Sequence, residues 1–384
     1  MASSPSFYDV VIVGAGPAGA TAALAFQPTD LKVLLLDQAH FPREKSCGDG
    51  IPRSAVEVIR RIAPELTGFF DQLPVHFRNH RIRLATNYGE PWEMEHEAPA
   101  YTCTRLCFDD ALVSLVKAHT AVEVREGERV EEAQVFPDHV LLRTAKQIYT
   151  AQVVLGCDGS RSEMAKLVRT QATDEDNPHL GAAVRAHFRG VSGVAMNRVE
   201  IFVQKDFLPG YFWLFPLPNG EVNVGFGMRN RVAHKRKLDL AHTLHDFIAA
   251  SDELRDRFAQ AENSRPTQSY QLPFGSQQVA ISSERVMLAG DAACLVDPFS
   301  MDGISYAAHS GYLAALQAQA CLREQRFDLD FIRQYDQQLW KTLGSSLRHK
   351  SWVQELAATY PGLVSLSLRL MQFAPFRQLM QRYV

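Results

Sequence analysis

The sequence predicts an α/β protein with an inserted antiparallel-sheet domain and a C-terminal helical region. Three observations predict this fold class: a β-branched run leading through clustered glycines into an alanine-rich segment, alternating turn-rich segments over 180–272, and helical periodicity from 328 onwards. The predicted boundaries are 1–80, 106–178 and 280–327 for a discontinuous α/β domain, 81–105 and 179–279 for the sheet domain, and 328–384 for the helical region.

The first element is a strand, turn and helix of the nucleotide-binding type. Residues 10–13 are typical of a strand buried on both faces, and Gly14, Gly16 and Gly19 follow as G-x-G-x-x-G. Glycines there permit a tight turn and a close approach of the backbone to a pyrophosphate, which the helix N-terminus also attracts. A second apolar strand ends at Asp37, about 20 residues on, where a carboxylate can accept a ribose hydroxyl. This pattern predicts a Rossmann-like dinucleotide site; the alternative is a glycine-rich turn of another α/β protein.

Composition and charge limit the function classes. The chain has 384 residues, of which 46% are hydrophobic, so it can bury a large core. A net charge of −3 with interspersed signs disfavours nucleic acid as a partner. The six cysteines show no Cys-x-x-Cys spacing, so neither a metal site nor a disulfide framework is expected. No secretion signal or membrane span is visible, which favours a cytoplasmic protein; the oligomeric state stays open.

Two later turns are of the same type. The segments YTAQVVLGCDGSRS and RVMLAGDAA each predict a strand that runs into a glycine-containing turn. The three turns, at 14–19, 156–162 and 290–293, resemble in order and separation those of the FAD-dependent oxidoreductases with the p-hydroxybenzoate hydroxylase fold. The resemblance extends to about residue 315.

This resemblance implies FAD as the cofactor. By the match of motifs, Asp291 would bond the ribityl chain and Arg105, just before the helix FDDAL, would contact the flavin chain. The helix that begins near Gly303 is expected to point its first N–H groups at the flavin ring, where negative charge gathers on reduction. The predicted cofactor residues are Gly14, Gly16, Ala18, Gly19, Asp37, Gly48, Arg105, Val130, Asp158, Gly159, Asp291, Gly303 and Ile304.

Two more motifs narrow the family. PREKSCGDG, at 42–50, fits P-x-x-x-x-C-G-x-G, and YFWLFP with a later G-x-G, at 211–227, fits a second motif; both resemble the geranylgeranyl reductase family. The resemblance implies reduction of carbon–carbon double bonds in an isoprenoid or other long apolar substrate, contacted by Trp213, Phe215 and Met301. The chain departs from the family pattern at Asp49, Met301 and Asp302, which leaves the substrate open.

Alkene reduction needs a hydride from the flavin and a proton from a placed acid. Cys47 is the first candidate acid, because a thiol in apolar surroundings stays protonated at neutral pH. Asp49 and the phenol of Tyr211 are further candidates. Each candidate has an alternative. Cys47 can be a small buried hydrophobe, and the aromatic strand can belong to the core. For Asp49 the favoured interpretation is an ordinary turn residue.

Alternatives remain open for the electron donor and for the class of reaction. There is no second G-x-G-x-x-G, so NAD(P)H or a reduced electron-carrier protein is expected to act as a transient donor. A flavin monooxygenase on the same fold is the second hypothesis. A halogenase is disfavoured because YFWLFP replaces the usual W-x-W-x-I-P, although Lys45 keeps it open. A flavin-bearing lipid carrier or electron relay that does not catalyse comes last.

The C-terminal region raises the question of a membrane. It contains Arg369, Arg377 and Arg382 and no acidic residue after Glu355, and it is apolar on most faces. Peripheral membrane contact is one expectation. The favoured one is a helix that packs on its own catalytic domain or lines an apolar substrate channel.

Overall fold

The structure is a computed structural model of the chain and describes residues 6–62, 64, 68–73, 76–87, 89–169, 179–370 and 373. Arg377 and Arg382 of the basic tail lie outside the described residues. The strands are β1 (Ser6–Val13), β2 (Val33–Leu36), β3 (Gly50–Ile51), β4 (Phe77–Thr86), β5 (Gly89–Thr102), β6 (Glu123–Arg125), β7 (Val130–Val135), β8 (Val140–Thr144), β9 (Ile148–Gly156), β10 (Leu180–Arg189), β11 (Arg198–Val203), β12 (Tyr211–Pro216), β13 (Glu221–Arg229), β14 (Glu262–Pro273), β15 (Ser282–Ser283) and β16 (Val286–Leu288). The helices are α1 (Pro17–Leu24), α2 (Arg53–Ile62), α3 (Phe69–Gln72), α4 (Arg105–His119), α5 (Asn230–Lys235), α6 (Leu240–Ala249), α7 (Asp252–Arg257), α8 (Ile304–Glu324), α9 (Leu329–Thr359) and α10 (Pro361–Leu370).

The first sheet is built around a parallel core. Its order is β15-β16-β9-β1-β2-β6, and β8 adds a hairpin with β7 at β9. Strand β1 pairs in parallel with β2 and β9, and β9 with β16, so the carboxyl ends of these strands meet at one edge. The three glycine turns follow β1, β9 and β16 and therefore converge there. The predicted α/β fold class is confirmed by this architecture.

The second sheet has the order β14-β10-β13-β12-β11-β4-β5-β3 and is antiparallel apart from the β11–β4 pair. Its strands alternate between two faces. One face packs on α5, α6 and α7, where the rings of Phe212 and Phe247 stack with centroids 5.2 Å apart. The other face looks towards the first sheet. Because β3 pairs with β5, the cysteine loop at 42–50 ends in a strand of the second sheet and links the two sheets.

The C-terminal helices join both parts of the molecule. The first half of α9 is buried on the first core, and Tyr335 Oη donates to the Leu288 carbonyl at 2.5 Å. Its second half reaches the second sheet, where Arg229 Nε donates to Gln354 Oε1 at 2.6 Å. Within the described part of the chain, no helix has the length and apolar character needed to cross a bilayer.

Candidate active site

A continuous cavity of about 1660 Å³ lies between the edge of the first sheet and the open face of the second. The three glycine turns form one end, the cysteine loop lies in the middle, and the strands of the second sheet form the other end. Helices α9 and α10 also line the cavity, through Val353, Gln354, Leu356 and Ala357 of α9 and Leu363, Val364, Ser367 and Leu368 of α10. The cavity thus joins the glycine turns, the cysteine loop and the strands of the second sheet.

The first turn forms a cradle that only glycine permits. Gly14 has φ 99°, and a Cβ there would lie 2.4 Å from the Cys157 carbonyl oxygen. Above Gly16 the space is open, since the nearest atom to a Cβ would be an Arg43 nitrogen at 3.7 Å. This leaves room for a phosphate group beside the first turn of α1. Gly19 lies behind the turn, where its missing side chain lets α1 pack on the Gly14 backbone.

Asp37 holds the turn as well as facing the cavity. Its carboxylate accepts from the backbone N–H of Ala15 and of Ala39, both at 2.8 Å. It lines the cavity, as do Ala18 and Val130. Each carboxylate oxygen keeps a further lone pair for a ribose hydroxyl.

The other two turns lie beside the first. Asp158 lines the cavity next to Gly159, and its carboxylate accepts from Ser162 Oγ at 2.6 Å and from Glu163 N at 2.7 Å. Burial raises the pKa of Asp158, although these hydrogen bonds oppose the shift. The middle turn is therefore braced by its own aspartate.

Asp291 belongs to a half-buried polar cluster that the sequence did not reveal. Tyr270 Oη donates to Asp291 Oδ2 at 2.8 Å, and Lys45 Nζ donates to Tyr270 Oη at 2.9 Å. Burial lowers the pKa of Lys45, but the charge of Asp291 and the interactions with Tyr270 together outweigh it, so that the pKa is raised. Lys45 is thus engaged as a charged link between the cysteine loop and the third turn.

Arg105 is fixed in a bidentate pair beneath the cysteine loop. Its Nε and Nη2 donate to the two carboxylate oxygens of Asp109, each at 2.7 Å, and only 5% of Arg105 is exposed. Arg43 Nη1 also lies 3.1 Å from Asp109. Both guanidinium groups line the cavity and present positive charge to an anionic ligand.

The structure places the Asp49 carboxylate away from the cavity. Its Oδ2 accepts from Asn223 Nδ2 at 2.8 Å and lies 2.9 Å from His187 Nε2, while Oδ1 accepts from Arg105 N at 3.1 Å. The backbone of Asp49 has φ 60°, and only 3% of the residue is exposed. Its left-handed turn directs the carboxylate into this buried network, as expected if Asp49 is the turn residue that the sequence analysis favoured over a proton donor.

Asn223 is the central polar residue of the network, and sequence reasoning missed it. Its Nδ2 also donates to the Cys47 carbonyl at 2.9 Å, and its Oδ1 accepts from Trp213 Nε1 at 2.9 Å. One buried amide therefore fixes both the cysteine loop and the aromatic strand. The signal was present in the alternation of β13, which places Asn223 on the same face as Gly225 and Gly227.

Cys47 and Tyr211, the other two candidate acids, both line the cavity. Burial raises the pKa of the Cys47 thiol, while the neighbouring Arg105 opposes the shift. Burial likewise raises the pKa of Tyr211, but its Oη donates to the Ser300 carbonyl at 2.7 Å. The Tyr211 proton is therefore engaged by the backbone.

The loop before α8 completes the middle of the cavity. Met301, Asp302, Gly303 and Ile304 all line it, and a Cβ on Gly227 would meet Met301 Sδ at 2.4 Å. Burial raises the pKa of the Asp302 carboxyl group, although its Oδ1 accepts from Ser305 N at 3.1 Å. Sequence reasoning named Asp302 only as a departure from the family pattern, and its place in the cavity makes it a further acidic group near the reaction site.

A row of side chains forms the apolar wall. The register pairs Gly225 with Trp213, Trp213 with Ile201, Ile201 with Leu84, and Leu84 with Trp92 across five strands. A Cβ on Gly225 would lie 2.0 Å from the Trp213 ring, so this glycine makes room for the indole. Phe215 lines the cavity as well and packs against Gly50 of the cysteine loop.

Comparison with known proteins places these features in context. The family described as "FAD binding domain" matches residues 7–338. The menaquinone reductase of Mycolicibacterium smegmatis is 32% identical over 321 residues, which is 80% of this chain and 75% of the relative. Digeranylgeranylglycerophospholipid reductase 2 of Methanopyrus kandleri is 26% identical over 352 residues, which is 89% of this chain and 84% of the relative.

A crystal structure of another protein shows the same fold. The crystal structure of a geranylgeranyl bacteriochlorophyll reductase-like protein from Thermoplasma acidophilum superposes with a TM-score of 0.79 at 21% identity. The match covers 92% of this chain and 88% of that chain. The similarity extends over both sheets and into the C-terminal helices.

Proposed function

Because the chain belongs to the geranylgeranyl reductase family of FAD-dependent oxidoreductases, we propose that it reduces carbon–carbon double bonds of an isoprenoid or another long apolar substrate. The observation that carries the proposal is the continuity of the dinucleotide cradle with an apolar cavity. A substrate chain lying along that wall would reach the cysteine loop. The relatives named above are a menaquinone reductase and a digeranylgeranylglycerophospholipid reductase, which supports a substrate of this class.

The residues present fit FAD. Gly14 and Gly16 would approach its pyrophosphate, Asp37 its ribose, and Asp291 its ribityl chain. When bound, FAD supplies hydride transfer. The first N–H groups of α8, at Gly303 and Ile304, would face the ring edge at which negative charge gathers.

The residues of the chain itself exclude water and hold a proton. Trp213 and Phe215 pack against the cysteine loop and line the cavity beside it. The Cys47 thiol, kept protonated by burial, faces the same space, and Asn223 holds its backbone in place. We assign to Cys47 Sγ the proton that the reduced double bond needs.

The electron donor is proposed to be transient. The chain has one G-x-G-x-x-G motif, which the FAD site uses, so NAD(P)H or a reduced carrier protein would have to bind briefly at the cavity mouth. Anaerobic mixing of the oxidised protein with NADH, NADPH or a reduced ferredoxin distinguishes these donors by the rate at which flavin absorbance bleaches.

The main experiment reduces the bound flavin without oxygen and then adds prenyl lipids. We expect the flavin to reoxidise and the product to gain two hydrogen atoms per reduced bond, as detected by mass spectrometry. A monooxygenase would instead leave the lipid unchanged until air is admitted and then add oxygen to it. Bound FAD with no turnover under either condition would contradict the proposed reaction.

Replacing Cys47 by alanine should lower the reductase rate about 10²-fold or more, the usual range for loss of a positioned general acid. The flavin spectrum should stay unchanged, because Asn223 Nδ2 donates to the backbone carbonyl of residue 47, which the alanine variant keeps. Since the thiol donates only when protonated and its pKa is raised, the wild-type rate should persist above neutral pH and fall as pH rises through that pKa.

The pH profile provides the control. In Cys47→Ser the hydroxyl does not ionise over the working range, so the slow residual rate should lose the alkaline decline. Full activity in Cys47→Ala, or an alkaline decline that survives in both variants, would assign the proton to another group. Asp302 would then be the next residue to replace.

Peripheral membrane contact is proposed for the C-terminal apolar patch, defined as Trp352, Tyr360, Leu363, Leu366 and Phe373. More than half of each residue is exposed, from 51% for Leu363 to 63% for Phe373. Leu363 also lines the cavity, as do Val364, Ser367 and Leu368 of the same helix, so α10 lies between the substrate site and the surroundings. An apolar surface in this position would let a lipid pass from a bilayer into the cavity.

Vesicle sedimentation tests this contact. We expect binding to vesicles that contain phosphatidylglycerol, and about tenfold or greater weakening in a Leu366→Ser and Phe373→Ser double variant, because each buried side chain contributes about 1.5–3 kcal/mol. Leu316→Ser is the matched control, since Leu316 is 41% exposed on α8 and lies outside the patch. Equal binding by all three proteins would contradict the contact.

A further inference from the structure

The far end of the apolar wall lies at an edge strand. On the cavity side of β5, Trp92 and Met94 are each only 8% exposed, and both line the cavity. The residues between and beyond them point outwards and carry charge: Glu93, Glu95 and Glu97. Strand β3 pairs with β5 only at Tyr101 and Thr102. No strand of the described chain therefore lies beyond Trp92, where the sheet ends.

The row of paired side chains gives the distance between this edge and the cysteine loop. Trp213 marks the near end, since a Cβ on Gly48 would lie 3.3 Å from its Nε1. Ile201, Leu84 and Trp92 follow on successive strands, so three strand spacings of about 4.8 Å, or about 14 Å in total, separate the two tryptophans. The side chains between them are aliphatic and contribute no hydrogen-bonding group to the wall.

Trp92 differs from its neighbours in the row by its size. An aliphatic side chain at a sheet edge would leave the end of the wall open, whereas an indole covers a large area there. Trp92 stays buried although it lies on an edge strand, which means that its ring faces the cavity interior. Trp92 is therefore the large side chain of the row that lines the cavity where the sheet ends.

Resting on the reductase function proposed above, we propose that Trp92 sets the length of isoprenoid chain that the cavity accepts beyond the reacting double bond. A chain that runs along the row from the cysteine loop meets the indole after about 14 Å, a distance of three strand spacings. Chains that end before this point fit, and longer chains have to bend out of the cavity. Trp92 is thus a specificity-determining residue and takes no part in the proton or hydride transfer.

The test uses the FAD-loaded protein and all-trans prenols of increasing length, from farnesol and geranylgeraniol to longer polyprenols. Binding is read from the change in flavin absorbance, and reduction is measured separately by mass spectrometry. In Trp92→Ala we expect the affinity for the longest prenols, relative to farnesol, to rise about tenfold or more, the discrimination typical of a few methylene groups in an apolar pocket. Trp92→Phe should give an intermediate ratio.

Leu84→Ala is the matched control. It removes a side chain from the middle of the same row without opening its end, so it should weaken all prenols by a similar factor. If Trp92→Ala and Trp92→Phe also change all lengths in parallel, the proposal is overturned. If the wild type binds prenols without reducing them, the proposed reaction fails while the length ratio still decides the role of Trp92. If it binds none, both proposals are overturned.

Discussion

Gly19→Ala is expected to give a colourless protein of low stability. A Cβ at this position would lie 1.8 Å from the carbonyl oxygen of Gly14 and 3.0 Å from the carbonyl carbon of Gly14. Neither can move aside easily, because Gly14 N donates to the Leu36 carbonyl at 2.7 Å and the Gly14 backbone packs on Cys157. The clash would push α1 off the sheet and should lower the free energy of unfolding by about 3 kcal/mol or more.

The measurement is the FAD content per protein, from the ratio of flavin to protein absorbance, together with the thermal midpoint. Gly362→Ala is the matched control, because no atom lies within 4 Å of the added methyl group and the residue lies in α10. Gly362→Ala should keep the FAD content and the thermal midpoint of the wild type. Stoichiometric FAD and an unchanged midpoint in Gly19→Ala would contradict the packing of α1 on the first turn.

Asn223→Ala should reduce turnover about 10²-fold or more while the protein still binds FAD. The substitution leaves the Trp213 indole N–H and the Cys47 carbonyl without their partners, and it removes a donor from Asp49. Each unsatisfied buried group costs about 1–3 kcal/mol, so a loss of about 3 kcal/mol in stability should accompany it. Turnover falls because a displacement of about 1 Å in the position of a reacting group can cost about 10²-fold in rate.

Single-turnover reduction and the thermal midpoint together test this expectation. Asn263→Ala is the control, because that exposed amide bonds only within its own strand, to Thr267 Oγ1 and to the backbone N–H of Arg265, and has no bond to the network of Asn223. Asn223→Asp should be at least as slow as the alanine variant at neutral pH, since it would place a second carboxylate 2.8 Å from Asp49. Normal turnover in both Asn223 variants would show that the cysteine loop does not depend on this amide.

The parts of the site that could be predicted are those with local requirements. Gly14 needs a positive φ and a bare Cα, and both needs are set by the neighbouring turn. The strand β2, which leads into Asp37, was predictable for the same reason: its signal lies in neighbouring residues. The cavity-facing positions of β12 were also predictable, because a strand with Trp213 and Phe215 on one face follows a simple alternation.

The parts that could not be predicted depend on contacts between distant segments. His187 meets Asp49 across 138 positions, and Tyr270 meets Lys45 across 225. No local pattern marks either pair. The sequence allowed the Asp49 side chain to face the cavity or the protein interior, and only the docking of β10 and β13 against the cysteine loop decided between them.

The sequence by itself determined the α/β fold class, the FAD cradle and the presence of a thiol in a glycine-rich loop. Each of these depends on backbone conformations that a few neighbouring residues impose. The tertiary structure alone decided that Cys47 lines the cavity while the Asp49 carboxylate is buried against His187 and Asn223, that α10 lines the cavity, and that Trp92 lies on the edge strand. These outcomes depend on strand register and helix docking, which bring together side chains that are far apart in the chain.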